Sequence, residues 1–377
     1  MSQRRHVVHL VYRFAAGGLE NVIVQLINGL PADRFRHTVV ALTSVDPDFQ
    51  RRVKHSDVRF VALDKPPGQP FAMYPRMWRL LRQLKPDVFH SCNLAALEFA
   101  PVAAAAGVPR RVHAEHGWDV ADPDGSNRKY QVLRRVYQRF VQQFVVVSEQ
   151  LQRYLLERVG IEASRVELIA NGVDTQTFCP DVSDPMPPDW PFDPVGPWVI
   201  GTVGRLEPIK NQMLLGQAFV EALRQHPAAT AHWRLALIGA GPGREGLEAF
   251  FRQAGVQDRV WLPGARSDIA TLLRQLDCFV LPSLAEGTSC TLQEAMASAL
   301  PIIATDVGGN ARLLDHGRLG VLVPSAQVEA MAVALWAVAQ DVPAARQRAS
   351  LARQEAESRH SLNAMLSRYE GLFNQQG

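Results

Sequence analysis

Short apolar, β-branched runs alternate along this chain with longer segments whose apolar residues recur at helical spacing, the pattern of βα units on a parallel sheet. In the first half the runs are HVVHLV from His6, HTVVAL from His37, VRFVAL from Val58, DVFHS from Asp87, RVHAEH from Arg111, FVVVS from Phe144 and VELIA from Val166. Leu19–Leu30 and Pro75–Leu84 read as helices between them. A second series follows: WVIGTVG from Trp198, WRLALIG from Trp233, RVWL from Arg259, CFVLP from Cys278, PIIAT from Pro301 and GVLV from Gly320. Between the series lie seven prolines, at 180, 185, 187, 188, 191, 194 and 197. Neither a helix nor a central strand tolerates that density, so the segment reads as a linker. The pattern predicts an α/β fold of two Rossmann-like, doubly wound domains, residues 1–178 and 198–357, joined by linker 179–197. Ligands are expected in a cleft faced by the carboxyl ends of the two sheets. The tail Ser361–Phe373 is a further amphipathic helix, with Leu362, Met365, Leu366, Tyr369 and Phe373 on one stripe.

Composition narrows the class only a little. The 377 residues suffice for two cores, and 47% hydrophobic with 20% charged residues is a globular balance. A formal net charge of +3 is too small for a polyelectrolyte binder, and no nucleic-acid partner is expected. The cysteines, Cys92, Cys179, Cys278 and Cys290, form no CxxC pair and read as reduced thiols in a cytoplasmic protein. The N-terminal apolar run is too short for a signal peptide, and Leu97–Val108, interrupted by Pro101, is too short for a membrane span.

The chemistry concentrates in LAEGTSCTLQEAMASALPIIAT, from Leu284. Glu286 stands at a strand end, and Glu294 stands eight residues later inside a helix. Thr288, Ser289 and Thr291 are competent N-caps, so free N–H groups and the positive dipole end should offer a diphosphate site there. Glu286 then reaches the group carried by that diphosphate, and Glu294 accepts from paired hydroxyls such as those of a ribose. Either glutamate alone would pass for a solvated helix-start residue; the pair with its glycine and caps favours function. In GTVGRLEPIKNQ, from Gly201, Arg205 and Lys210 are two cations able to neutralise a leaving diphosphate, although surface cations would look the same in isolation. The turn AAGGLENVI puts Gly17 and Gly18 before a helix expected near Leu19, where a ligand can approach the backbone. It lacks the spacing of GxGxxG, and a turn needed only for the fold is an equal account. His116 in AEHGWD follows a strand and could bond a sugar hydroxyl or act as acid or base. Two DPD triplets, Asp46–Asp48 and Asp122–Asp124, read as proline-centred turns rather than metal ligands. Tyr130, Leu133, Tyr137 and Phe140 stripe a basic helix over 128–140 carrying Lys129, Arg134, Arg135 and Arg139. Such a helix could lie on an anionic membrane; a core stripe with a solvated basic face is the competing reading.

Taken in order, GGLE, KPDVFH at Lys85, EHG at Glu115, NGVD at Asn171, VGRLEPIKN, GAGP at Gly239, LPGARSDI at Leu262, the E-x7-E segment and ATDVGGN at Ala304 resemble the retaining glycosyltransferase family 4. The resemblance spans nearly the whole chain, and the E-x7-E region is similar to sugar transferases of exopolysaccharide and exosortase-linked systems. It implies the twin-Rossmann GT-B fold, with 358–377 packing back on the first domain. It implies a nucleoside-diphosphate sugar as donor, a glycan or lipid-linked acceptor, and neither metal nor cofactor. By resemblance, the Gly18 backbone, Arg205, Lys210 and the backbone of Ser289, Cys290 and Thr291 hold the diphosphate. Glu294 holds the ribose, and the backbone near Arg266 meets the base. His116 touches the donor sugar, and Glu286 lies beside the transferred ring. Retention by front-face attack, with a donor phosphate oxygen taking the acceptor proton, would leave Glu286 to orient and stabilise. Two positions depart from the family: Ala299-Leu300-Pro301 replaces Gly-Val-Pro, read as a packing change, and Arg312 replaces the acid of GG-x-x-Glu. A nucleotide-sugar-binding protein without turnover is the alternative, and a Rossmann oxidoreductase a more distant one, because GxGxxG is lacking.

Overall fold

The computed structural model describes residues 4–66, 68, 70–119, 122, 125–180 and 185–375. The chain divides into two compact units, residues 1–172 with 362–377, and residues 173–361. The first unit is a seven-stranded parallel sheet in the order β3-β2-β1-β4-β5-β6-β7. Its strands are β1 Arg5–Val11, β2 Phe35–Ala41, β3 Arg59–Ala62, β4 Val88–Cys92, β5 Arg110–Glu115, β6 Gln143–Val146 and β7 Val166–Leu168. The second is a six-stranded parallel sheet in the order β10-β9-β8-β11-β12-β13. These strands are β8 Trp198–Val203, β9 Trp233–Ile238, β10 Val260–Gly264, β11 Cys278–Leu281, β12 Ile302–Thr305 and β13 Val321–Val323. Both sheets are Rossmann-like. In each the strand order reverses beside the first strand, between β1 and β4 and between β8 and β11, where loops part and a ligand can enter.

Central strands are apolar on both faces because helices cover both. In the first unit, helices Gly18–Gly29 and Leu362–Asn374 share one core with Val7, Val11 and Val39. A Cβ on Gly29 would meet Leu366 Cδ1 at 2.3 Å, so a larger residue there would make the Leu366 side chain shift. Helix Tyr74–Leu84 packs through Met77 and Leu81 with Val8, Leu10 and Phe89 in another core. In the second unit, helices Gln212–Gln225 and Val328–Gln340 share one core, and Cys290–Ala297 and Val342–Arg359 another.

The proline-rich segment differs from the expected spacer. It carries no helix or strand over 185–197, yet it belongs to the second unit. Phe192 is buried and Trp190 packs edge-on against Trp261 at 5.1 Å between ring centres. Apolar rings among the prolines fasten a segment that proline alone would leave extended.

Candidate active site

Four loops at the carboxyl edge of the second sheet converge beside its switch point. The loop after β8 carries Arg205 and Lys210, and its path is set by glycines opposite. A Cβ on Gly239 would lie 1.9 Å from Gly204 O, and one on Gly241 2.5 Å from Leu206 O. Both glycines have positive φ, 149° and 157°, so a side chain is excluded twice over. Leu206 N–H donates to Ala240 O (2.9 Å) and Gly243 N–H to Leu206 O (2.9 Å).

The loop after β11 is joined to this one by Leu284 N–H donating to Ile209 O (2.8 Å) and by an ion pair. Lys210 Nζ lies 2.6 Å from Glu286 Oε1. Ser283 Oγ–H donates to the same oxygen at 2.6 Å. Glu286 stands five residues past the end of β11, in the loop rather than at the strand end, with its side chain 7% exposed against 25% for Lys210. Ser283 is itself held: Thr305 Oγ–H donates to its carbonyl (2.6 Å), and buried Asn310 Nδ2–H donates to Thr305 O (3.0 Å). The Gly308-Gly309 turn lies on the backbone of Glu286 and Gly287, where Cβ atoms would come within 1.8 and 2.3 Å. Motifs distant in sequence therefore fix one carboxylate. Sequence reasoning missed Ser283, Thr305 and Asn310. Their signal was weak, since small polar residues after strands also serve as caps and turns.

Helix Cys290–Ala297 begins next, capped by Ser289, whose Oγ accepts from Leu292 N–H (3.3 Å) and lies 3.1 Å from Thr291 Oγ1. Of the three candidate caps, Ser289 is the one used. Cys290 is the first helical residue and half-buried; Glu294, one turn on, is half-buried too. Arg205 is exposed and its guanidinium meets Glu207 Oε1 at 2.7 Å. The Arg266 side chain is committed to Asp268, through Nε (2.8 Å) and a second nitrogen (2.7 Å), and to Asp189. Its guanidinium lies 5.9 Å from the Trp261 ring centre, so only its backbone is left for a base.

Ala299 has φ 54°. The departure from Gly-Val-Pro is therefore a matter of backbone, not of packing: an alanine occupies a left-handed position at which glycine carries no penalty. Arg312 is exposed on helix Asn310–Leu313.

In the first unit, Gly18 is the first residue of helix Gly18–Gly29, one earlier than expected, with Gly17 extended as N-cap. A Cβ on Gly17 would meet the Glu20 carboxylate at 2.2 Å, so the side chain of the first turn folds over that glycine. His116 follows β5; its backbone N–H donates to Asn93 Oδ1 (2.8 Å). Neither of its buried ring nitrogens has a hydrogen-bond partner among the described residues, and burial pushes its pKa down to about 4. The ring is neutral at pH 7, a form that can both donate and accept.

The basic segment 128–140 corrects the membrane-facing stripe. Tyr130, Leu133, Tyr137 and Phe140 pack against the core of Leu94, Phe144 and Leu155. Arg134 is buried, 3% exposed, and bonded to Glu115 (2.6 and 3.1 Å) and Asp119 (2.9 Å). Burial opposes ionisation of Glu115, yet Arg134 and His113 hold its pKa at about 2. Asp46 caps helix Pro47–Gln50 through Asp48 and Phe49 N–H, as a turn should. Of the second triplet, Pro123 and Asp124 lie outside the described residues. Among the described residues no three His, Cys, Asp or Glu side chains gather as a metal site.

Residues 16–177 match the family described as Glycosyltransferase Family 4, and residues 197–341 the family described as Glycosyl transferases group 1. The chain is 24% identical to the UDP-Gal:alpha-D-GlcNAc-diphosphoundecaprenol alpha-1,3-galactosyltransferase of Escherichia coli, over 89% of this chain and 88% of that one. It is 32% identical to the D-inositol 3-phosphate glycosyltransferase of Salinispora tropica, over 55% of this chain and 45% of that enzyme. The crystal structure of Anabaena Alr3699/HepE in complex with UDP-glucose superposes with a TM-score of 0.80 at 21% identity, covering 98% of this chain and 100% of that one.

Proposed function

The chain belongs to glycosyltransferase family 4, and on that premise we propose that it moves a sugar, with retention, from a nucleoside-diphosphate donor to a glycan or lipid-linked acceptor in cell-surface glycan or exopolysaccharide assembly. The observation that carries this reading is the Lys210–Glu286 pair beside the Ser289-capped helix, on loops flanking the β8/β11 switch point. Support for the donor class comes from the UDP-glucose complex of the Anabaena protein, and for a lipid-diphosphate acceptor from the name of the E. coli relative.

In this proposal Lys210 and Arg205 stabilise the charge that grows on the leaving diphosphate, together with the N–H groups of Ser289, Cys290 and Thr291. A fixed cation beside the leaving group supplies stabilisation that needs no metal. Glu286 accepts on Oε1 from Ser283 and Lys210, which leaves Oε2 to a hydroxyl of the transferred sugar. Glu294 holds the ribose hydroxyls, and the backbone near Arg266 meets the base. Gly18 N–H and neutral His116 are contacts for the donor phosphate and sugar. Such an enzyme would work at the cytoplasmic face of a membrane.

A thermal-shift screen of nucleotide sugars, followed by acceptor-dependent release of nucleoside diphosphate, tests the reading. A donor at 100 times its dissociation constant stabilises by about 2.7 kcal/mol. Glu286→Gln is expected to depress kcat, and Glu294→Gln to weaken nucleotide binding. No shift with any nucleotide sugar, or both variants behaving as wild type, would overturn the assignment.

A further inference from the structure

We propose that a cavity at the amino edge of the second sheet binds a small organic anion with an apolar body, at a site separate from the donor loops. The proposal stands or falls without the transfer reaction.

The cavity measures about 470 Å³, within the roughly 300–1,000 Å³ of small-ligand sites. Its place follows from the strands. Trp198 is the first residue of β8, Asp277 directly precedes β11 and Pro301 directly precedes β12, and all three line the cavity. Arg205, Lys210 and Glu286 follow the opposite ends of β8 and β11. The six residues of β8 separate the two edges by about 20 Å, at about 3.3 Å per residue, so one small ligand does not occupy both. Open parallel sheets take their ligands at the carboxyl edge, which leaves this cavity without a role in donor binding.

Ser298 points to a ligand. It lines the cavity, is 4% exposed, and its Oγ has no hydrogen-bond partner among the described residues. Its backbone N–H is used, donating to Glu294 O (3.0 Å), so the side chain alone is left over. Buried hydroxyls are normally paired, and the cavity is the space in which a partner can stand. The sign of that partner follows from the charges around it. Two arginines, Arg274 and Arg346, line the cavity against one acid, Asp277, whose carboxylate already accepts from Val199 N–H (2.8 Å). Arg274 is tied to the carbonyls of Thr177 (3.2 Å) and Cys179 (3.3 Å). Arg346 is exposed and forms no hydrogen bond or ion pair among the described residues, so its guanidinium is left for an anion. It stands in the second turn of helix Val342–Arg359, whose positive dipole end adds the same sign. The rest of the lining is apolar, with Trp198, Leu276, Leu300 and Val338 offering a wall for rings or an alkyl chain. A carboxylate, sulfonate or phosphate monoester on such a body meets both demands.

Fluorescence titration of the full chain with anilinonaphthalene sulfonate, an apolar ring system with one anionic group, tests this. One saturable site is expected, unmoved by saturating nucleoside diphosphate. Uncharged phenylnaphthylamine, the same rings without the sulfonate, should bind about ten- to 100-fold more weakly, the range for one hydrogen bond to a charged group. Arg346→Ser should weaken the sulfonate by a similar factor. Ser298→Ala should weaken it about tenfold without lowering the melting temperature, because the hydroxyl has no partner in the protein to lose. Ser350→Trp, made at an exposed helix position that lines the cavity, should fill it and abolish binding with the fold intact. No saturable binding, or equal affinity for the uncharged analogue, overturns the proposal. So does displacement by nucleoside diphosphate, which would put the probe among the donor loops, or full binding by the Ser298→Ala and Ser350→Trp variants, which would put it elsewhere on the surface.

Discussion

Acidification below pH 6.5 should loosen the first unit, because three histidines line up through its sheet. His37 on β2, His9 on β1 and His90 on β4 form a row. His9 Nε2 is 3.0 Å from His37 Nδ1, and His9 Nδ1 is 3.0 Å from His90 Nδ1. Each of these bonds holds one proton; a single added proton is taken up by moving the tautomers to the outer ring nitrogens, while a second would set two N–H groups head-on. His9 and His90 are fully buried and His37 is 6% exposed. Burial first, then neighbouring histidines, lowers all three; for His37 the neighbours are His55, His6 and Arg4, opposed by Asp57, and the result is about 4. The ordinary value, reached in the unfolded chain, is 6.5. Between those values the unfolded state binds more protons, so stability is complete above pH 6.5 and falls as pH drops toward 4. For His37 alone the loss at about pH 5 is about 2 kcal/mol, and His9 and His90 add to it in the same direction. Glu115, whose pKa is lowered to about 2, contributes only below the ordinary glutamate value of 4.5 and does not confuse this window. Hydrogen exchange of the β1, β2 and β4 amides, corrected for intrinsic rates, measures the loss, with β8 to β12 as an internal reference. His37→Gln keeps a donor for His9 and should flatten the profile by about 2 kcal/mol at pH 5. Unchanged protection of β1, β2 and β4 between neutral pH and pH 5, or an equal loss in both units, would refute the reasoning.

Other expectations concern the second unit. Lys210→Ala should lower nucleoside-diphosphate release by about 100- to 1,000-fold with the fold intact, and Arg205→Ala should act in the same direction. Rates indifferent to both, or restored by magnesium alone, would refute that role. Ser283→Ala removes one of two donors to Glu286 and should lower kcat about tenfold with donor affinity retained, while Ser283→Thr restores it; a change confined to KM would point elsewhere. Ala299→Gly should raise stability by about 1 kcal/mol in urea titrations by relieving a left-handed alanine; a loss would mean that its methyl matters more than its φ. Alkylation of Cys290, mapped by mass spectrometry, should block donor binding and be prevented by saturating nucleoside diphosphate. Equal labelling with and without nucleotide would separate this loop from the donor site.

What the sequence by itself determined was everything encoded within a few residues. Strand runs, helix stripes and the clustering of Glu286 and Glu294 rest on side-chain periodicity and local backbone bonding, whose range is one or two turns, while the choice of Ser289 over Thr288 and Thr291 as the cap came from the structure. The tertiary structure decided what depends on partners far along the chain. Arg134 looked like one more surface cation of a basic helix; it is buried because β5 places Glu115, nineteen residues earlier, beneath it. Lys210 and Glu286, 76 residues apart, become one pair only because β8 and β11 are neighbours at the switch point. Ser283 gains its role in the same way, through Thr305 on the adjacent strand. The histidine row exists because β2, β1 and β4 lie side by side: His90, 81 residues on, is the register partner of His9, and His37, 28 residues on, stands diagonally across on β2, opposite Val7. A charge or a hydroxyl does not reveal in its own sequence neighbourhood whether water or another residue will satisfy it. That depends on which strands lie side by side, and the fold alone sets their order.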